Sequence, residues 1–328
     1  NLSDEDIAML KWLLQPPRRP PEEKLIKILE NTVEFGSLVM VNILITANVD
    51  VNADTEHLKV LMTSVNRYKR SMQAGSEVSF DIVKALIKAK ADINATDNNG
   101  RTALIHATND NAEIPNIVEL LLENGAEPNK VDNYNSTALK YAVTNEHQSV
   151  VELLLKNGTL VNQKCDIFGR EALILATNSK NEDMIQILLD NKADINATDN
   201  RKQTALIHAA KDETNESKSV VRLLLENEAN VDYADDEGVT ALMHAIISEN
   251  VQTVKYLLDA RANLELKDNN SYTALMLATF KGYTAIVKLL LEHGANINET
   301  NNYGSNALTF THEKSLIELL TPRDNAPS

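Results

Sequence analysis

The chain repeats itself. A polar turn, then Thr-Ala-Leu-x-x-Ala, then Val-x-x-Leu-Leu and finally Ala-x-x-Asn begins at Asp97 and restarts, with variations, at Asp132, Asp166, Asp199, Asp235 and Asp268. Successive starts lie 35, 34, 33, 36 and 33 residues apart. Each unit of this length carries one apolar stripe per helix, too little to form a core of its own. Neighbouring units must cover those stripes, so the chain reads as a stack. The usual prior of two or three globular domains for 328 residues therefore gives way to the period. Aromatic residues are only 4% of the chain, as thin layers filled by Leu, Ile, Val and Ala require.

Charge narrows the function. The chain has 47 acidic and 32 basic side chains and a formal charge of -15, which opposes general binding to a phosphate backbone. That balance leaves open a local basic pocket and favours a protein partner with a basic patch. Cys165 is the only cysteine, which excludes intrachain disulfides and multi-thiolate metal sites. No apolar run reaches membrane-spanning length, and the opening residues lack the pattern of a signal peptide. The expectation is a cytoplasmic protein without a membrane role.

Residues 1–21 read as a short helix, with Ile7, Leu10, Leu13 and Leu14 at helical spacing and Ser3 or Asp4 as its cap, followed by a Pro-rich linker. From Glu22 the pattern begins imperfectly, with Leu25, Ile28 and Leu29 on a first helix and Val39 to Ile45 on a second. The unit over 54–96 is roughly ten residues longer than the usual repeat, and the excess around residues 66–75 is expected between its helices. Residues 301–320 form a shortened last unit, which gives one domain of about nine units over 22–320 and a flexible tail over 321–328. A longer period also exists. Ala91-Asp92-Ile93-Asn94 returns as Ala193-Asp194-Ile195-Asn196 and Ala295-Asn296-Ile297-Asn298, and Ala-Leu-Ile-His occurs at 103–106 and 205–208. A copied block of three units accounts for both.

These motifs resemble ankyrin repeats over roughly residues 22–320. The resemblance implies an all-α solenoid with short β-hairpin-like turns. Thr102, Thr137, Thr204, Thr240 and Thr273 stand where a hydroxyl caps the first helix, whereas Glu171 takes that place once and cannot cap in the same way. Gly125, Gly158 and Gly294 suit a left-handed helix end, and Lys90, Lys192, Glu228 and Arg261 occupy the same corner elsewhere. Asn135, Lys202 and Ser271 replace the turn glycine. The family's His, which ties turns together by hydrogen bonding, is Ile105, Lys140, Ile174, Ile207, Met243 or Met276 here, so more reliance on apolar packing is expected.

Little in the sequence favours catalysis. His106, His208 and His244 recur at one repeat position, but equivalent positions in stacked units lie roughly 10 Å apart, too far to share zinc. Cys165 has no paired base, and no phosphate loop, calcium loop or His-Glu-x-x-His occurs. No catalytic residue, metal or cofactor is assigned. The ankyrin resemblance implies instead a protein-interaction module or adaptor, binding a partner on a concave face of turn tips and first helices. On that face Arg101, Tyr134, Phe168, Arg170, Arg201, Glu237, Tyr272 and Tyr303 flank the turns, and Phe280 and Lys281 follow a first helix. Rings and guanidinium groups are effective anchors. Arg67, Lys69 and Arg70 form a basic cluster suited to an anion.

Two alternatives remain at this stage. Arg101–Ala107 and Gln203–Ala209 are similar to units of the 2′,5′-oligoadenylate-dependent ribonuclease, whose ankyrin domain recognises a phosphorylated nucleotide, which implies a sensor of a nucleotide-like small molecule. An Asn- and Lys-rich composition also fits a secreted bacterial or symbiont effector acting as an adaptor in host cytoplasm.

Overall fold

A computed structural model describes residues 4–53, 59–73, 79–212 and 214–321. Ser3 and the tail beyond residue 321 lie outside the described residues. Contacts group the chain into two compact units, residues 1–160 and 161–328.

In the first unit, α1 (Asp4–Leu13) ends just before the prolines, and α2 (Glu22–Phe35) pairs with α3 (Leu38–Thr46). Next come α4 (Val60–Gln73) with α5 (Phe80–Lys88), α6 (Ala103–Thr108) with α7 (Pro115–Glu123), and α8 (Ala138–Thr144) with α9 (Gln148–Lys156). The first helices α2, α4, α6 and α8 pack in succession, and α3 on α5 and α7 on α9 form the second layer. The second unit repeats the arrangement with α10 (Ala172–Asn178), α11 (Glu182–Asp190), α12 (Ala205–Ala210), α13 (Asn215–Glu226), α14 (Ala241–Ile247), α15 (Val251–Asp259), α16 (Ala274–Lys281) and α17 (Thr284–Glu292). A 3-10 turn, η1 (Ala307–Phe310), and α18 (Lys314–Leu320) make the shortened last pair. Among the described residues, β structure is confined to two isolated antiparallel bridges, Val131 with Thr137 and Ala234 with Thr240.

The repeated letters explain this packing. Ala107, Ala142, Ala176, Ala245 and Ala278 have no exposed surface, so a larger side chain there would meet the neighbouring helix. In each Leu-Leu pair the first member is the core residue. Leu121, Leu154, Leu188, Leu224, Leu257 and Leu290 are fully buried, while the second member is half-buried in every pair except Leu257-Leu258. The expected left-handed corners are present, from Lys90 at φ 63° to Lys192 at φ 68°, as are Asn135, Lys202 and Ser271 in the turns.

One placement differs from expectation. Of the excess residues of the long second unit, 66–73 extend its first helix, so that Arg67, Lys69 and Arg70 lie on α4, while 74 and 75 lie outside the described residues. The apolar positions Leu61, Val65 and Tyr68 continue a helical stripe, and all three are buried. Hydrophilicity concealed that stripe in the sequence.

A second kind of bond joins adjacent pairs, and it uses the last letter of the repeat. The Asn94 side chain accepts from Glu127 N–H at 2.9 Å and donates to the Gly125 carbonyl at 2.9 Å. Asn52 does the same to Asp92 and Lys90, Asn129 to Leu160 and Gly158, and Asn162 to Asp194 and Lys192. Each such amide takes the place of water at the carbonyl of the left-handed corner that follows a second helix.

The threonine caps form as expected, with N–H to Oγ1 distances of 3.0 Å at Thr137 and 3.2 Å at Thr102. Glu171 occupies the cap position of α10 and makes no cap bond. Burial, reinforced by Asp194, pushes its carboxyl up to about 7. Because this value exceeds the ordinary 4.5, the protonated form is the one the fold favours, and that advantage is lost as pH rises through about 7. Glu171→Thr should therefore stabilise the chain by about 1 kcal/mol at pH 5 through the restored cap, and by more at pH 8. Urea unfolding midpoints at the two pH values check this, and a larger gain at pH 5 would contradict it.

Candidate functional site

The turns that display the candidate residues are built around one carboxylate each. One oxygen of Asp199 accepts from Arg201 N–H at 2.8 Å and Gln203 N–H at 2.9 Å. The same pair of bonds, to the second and fourth residues onward, occurs at Asp97, Asp132, Asp166, Asp235 and Asp268. Asn301 supplies it in the last unit. The turn is thereby fixed before any side chain at its tip is considered.

The second oxygen ties the turn to its first helix. Asp97, Asp199 and Asp235 each receive His Nε2, from His106, His208 and His244, at 2.9, 2.9 and 2.8 Å. Asp132 receives the Tyr141 hydroxyl at 2.7 Å, whereas the second oxygen of Asp166 stays within its turn and receives Arg170 Nε at 2.6 Å. The expectation of a mainly apolar substitute for the family's His is corrected here. A polar tie persists, moved one residue along the helix.

Electrostatics fit neutral rings donating to charged carboxylates. Burial pulls His106, His208 and His244 below their ordinary 6.5, although each aspartate opposes it. Burial works against ionising Asp97, Asp199 and Asp235, but the hydrogen bonds they accept outweigh it and hold them below 3.8. Burial, together with Asp132, pushes the Tyr141 phenol up to about 12.

Adjacent turns are stitched together as well. Asn133 N–H donates to Asn99 O, Asn200 N–H to Phe168 O and Asn269 N–H to Glu237 O, each at 2.9 Å. The approach is close enough that a Cβ on Gly238, at φ 76°, would lie 2.9 Å from the Asn269 backbone nitrogen. Glycine is required there on both counts.

On this frame Tyr134, Phe168, Phe280 and Tyr303 are exposed, at 60, 58, 63 and 80%. Such values are far above those of packed rings, so these four are available for contact. Tyr272 is half-buried and packs against Phe310 at 5.3 Å between ring centres, while Phe280 meets the same ring edge-on at 6.3 Å. Phe310 escaped the sequence reading because the last unit departs from the repeat register. Arg101 is held by Asp97 through Nε at 3.0 Å and Nη2 at 2.9 Å. Glu237 and Lys281 lie in the turn after Asp235 and at the end of α16.

Two cavities gather several of these residues, each within one compact unit. The first, of about 750 Å³, is lined by Lys69, Arg70, Arg101, His106, Asp97, Glu34 and neighbours. Its cations are answered internally. Arg70 grips Glu34 through Nη1 and Nη2 at 2.8 and 2.9 Å, and Lys69 donates to His106 O at 2.6 Å beside Asp110 at 3.5 Å. Arg67 rests on the Glu34 carbonyl. The second cavity, of about 380 Å³, brings Phe168, Arg170 and Arg201 together with Ile167, Asp199, Asn200, Gln203 and His208. Asp199, Asn200 and His208 lie 102 residues after Asp97, Asn98 and His106, so corresponding positions of the copied block contribute to both cavities.

Among the described residues no cluster of His, Cys, Asp or Glu is arranged to hold a metal ion, and no helix is long and apolar enough to cross a membrane.

Helix pairs joined by Asp-organised turns define a helical repeat protein. A family model described as ankyrin repeats (3 copies) matches residues 71–165, 159–235, 213–301 and 260–317, and the chain belongs to the ankyrin-repeat family. The ankyrin repeat protein FPV034 of fowlpox virus (strain NVSL) is 29% identical over 170 residues, covering 52% of this chain and 37% of the viral protein. Human B-cell lymphoma 3 protein is 33% identical over 105 residues, covering 31% of this chain and 23% of its own length. The chain thus spans well under half of either relative. The crystal structure of the ankyrin repeat domain of Bcl-3, a member of the IkappaB protein family, matches with a TM-score of 0.62 at 28% identity, covering 68% of this chain and 99% of that one.

The dual role of the turn carboxylate is testable at Asp235, which also accepts Gln203 Nε2 at 3.0 Å. Asp235→Ala strips buried partners and should cost about 3 kcal/mol, whereas Asp235→Asn keeps one accepting oxygen, as Asn301 does naturally, and should cost less. Denaturant midpoints measure both. Equal losses would place the stabilisation on the charge instead of the two N–H bonds.

Proposed function

We propose that this chain is a non-catalytic protein-interaction module that binds a partner through its turn tips and the exposed ends of its first helices. The observation that carries this reading is the exposure of Tyr134, Phe168, Phe280 and Tyr303 on turns and helix ends that are otherwise rigidly bonded. Exposed rings on a fixed backbone lose little conformational freedom when a partner covers them. Arg101, Arg170, Arg201, Glu237, Tyr272 and Lys281 belong to the same proposed surface. Membership of the ankyrin-repeat family supports an interaction role. The acidic balance of the chain favours partners steered by a basic patch.

The phosphorylated-nucleotide reading draws on one specific feature, the gathering of Phe168, Arg170 and Arg201 around one cavity. Arg170, however, is held by Asp166 at 2.6 Å. Within that cavity this leaves the Arg201 guanidinium for a ligand, less than a chain of phosphates calls for. The ion pairs of Lys69 with Asp110 and Arg70 with Glu34 weaken the anion reading of their own cluster in the same way, and Arg67 is turned to the Glu34 carbonyl. Interaction with a protein is therefore the preferred function.

Affinity capture from a cell lysate tests it, comparing the wild-type chain with a Tyr134→Ala, Phe168→Ala double variant whose helicity is confirmed by circular dichroism. Specific partners should be depleted about tenfold, since each buried aromatic anchor contributes roughly 1–2 kcal/mol or more. Undiminished capture of every specific partner would reject these two rings as contacts.

A further inference from the structure

We propose that the cavity between the turns beginning at Asp166 and Asp199 receives an acidic side chain of a protein partner, with an aliphatic or aromatic residue beside it on the same segment. This site rests on the interaction reading above and specifies the kind of sequence such a partner presents.

One guanidinium at this cavity is left without an internal partner. Both oxygens of Asp166 are occupied, one by Phe168 and Arg170 N–H and the other by Arg170 Nε. Both oxygens of Asp199 are likewise occupied, by Arg201 and Gln203 N–H and by His208 Nε2. The Gln203 amide is turned to Asp235. Arg201, exposed at the cavity, makes no ion pair among the described residues, because the one lining carboxylate, Asp199, directs both oxygens to other donors. In the corresponding cavity 102 residues earlier, Asn99 stands in place of Arg201, and Arg101 is held by Asp97. The first cavity thus carries ion-paired arginines, Arg70 with Glu34 and Arg101 with Asp97, and the second an arginine without an ion pair, Arg201.

The wall of the second cavity is apolar. Ile167 is 67% exposed and Phe168 58% exposed, and the Arg170 guanidinium lies 5.1 Å from the Phe168 ring centre. An arginine donates two parallel N–H bonds to a carboxylate or a phosphomonoester. A volume of about 380 Å³ has room for such a side chain together with part of its neighbour, which the open apolar rim suits. A peptide satisfies both halves of the site, whereas an isolated anion satisfies only one.

Ligand-observed NMR titrations of the full chain test the site. The probes are the peptide Gly-Leu-Glu-Leu-Gly, versions with phosphoserine, Gln or Lys at the centre, a version with Gly in place of both Leu, and adenosine 5′-monophosphate. The Glu or phosphoserine peptide should bind at least about tenfold more tightly than the Gln peptide, and comparison of these two identifies which anion is preferred. Arg201→Gln should abolish that preference, and Arg201→Glu should transfer it to the Lys peptide. Equal binding of the Glu, phosphoserine and Gln peptides, or an unchanged preference in Arg201→Gln, would overturn the proposal. So would binding of the nucleotide in preference to every peptide, or indifference to loss of the Leu residues. Failure here with intact, Tyr134- and Phe168-dependent capture from lysate would reject this pocket while leaving the interaction function in place.

Discussion

The fold depends on a carboxylate that does two things at once. In each full turn an aspartate closes the backbone with one oxygen and, in most, uses the other to hold a residue at or after the turn. At Asp97 and Asp199 the two jobs meet in a single buried group, bonded to two N–H donors and a histidine. A carboxylate can do this because it accepts several bonds and donates none while charged. The charge would be costly if buried alone, and it is tolerated because the donors converge on it. With the turn fixed in this way, the residues between its anchor points can vary without loosening the repeat. Variation at the tips is therefore compatible with a constant frame, as a recognition surface requires.

The asparagines that end the repeats extend this order from one helix pair to the next. Their amides replace water at the corner where a second helix stops, and turn-to-turn bonds such as Asn200 N–H to Phe168 O join the opposite end. Stability is consequently distributed as many modest, similar links between neighbours, the behaviour expected of a quasi-one-dimensional fold. Packing supplies a further link through the small alanines and the first leucine of each pair.

Much of this was legible in the sequence. Thr102 and its counterparts could be read as caps because a hydroxyl before an apolar helix start has few other uses. Left-handed corners followed from the glycines, and their non-glycine substitutes were identified by register alone. The repeat's first aspartate, by contrast, marked the period without revealing its bonds, since its partners lie two, four and nine residues away and two of them are backbone groups that any residue supplies. Register misled at the histidines: a search for the family's position found Ile105 and Ile207, while the tie had moved to His106 and His208. Composition misled at Arg67–Arg70, where the charged letters hid the buried Tyr68 and Lys69. Phe168, Arg170 and Arg201 could each be read from the sequence as a residue flanking a turn. Their common cavity, and the fact that Arg201 alone among its cations lacks an acid, depend on which carboxylates are already occupied. No local pattern encodes that.

The asparagine links also imply a particular response to pulling. Each joins segments about one repeat apart, so within either compact unit tension applied along the chain loads the outermost helix pair before the interior ones. Release of one pair frees a segment of some 33 residues, the spacing of Asp166 and Asp199, and lengthens the tether by roughly 110 Å. A chain built this way yields in small, repeated increments and can re-form each one against the pair that still stands, much as a ratchet re-engages its last tooth.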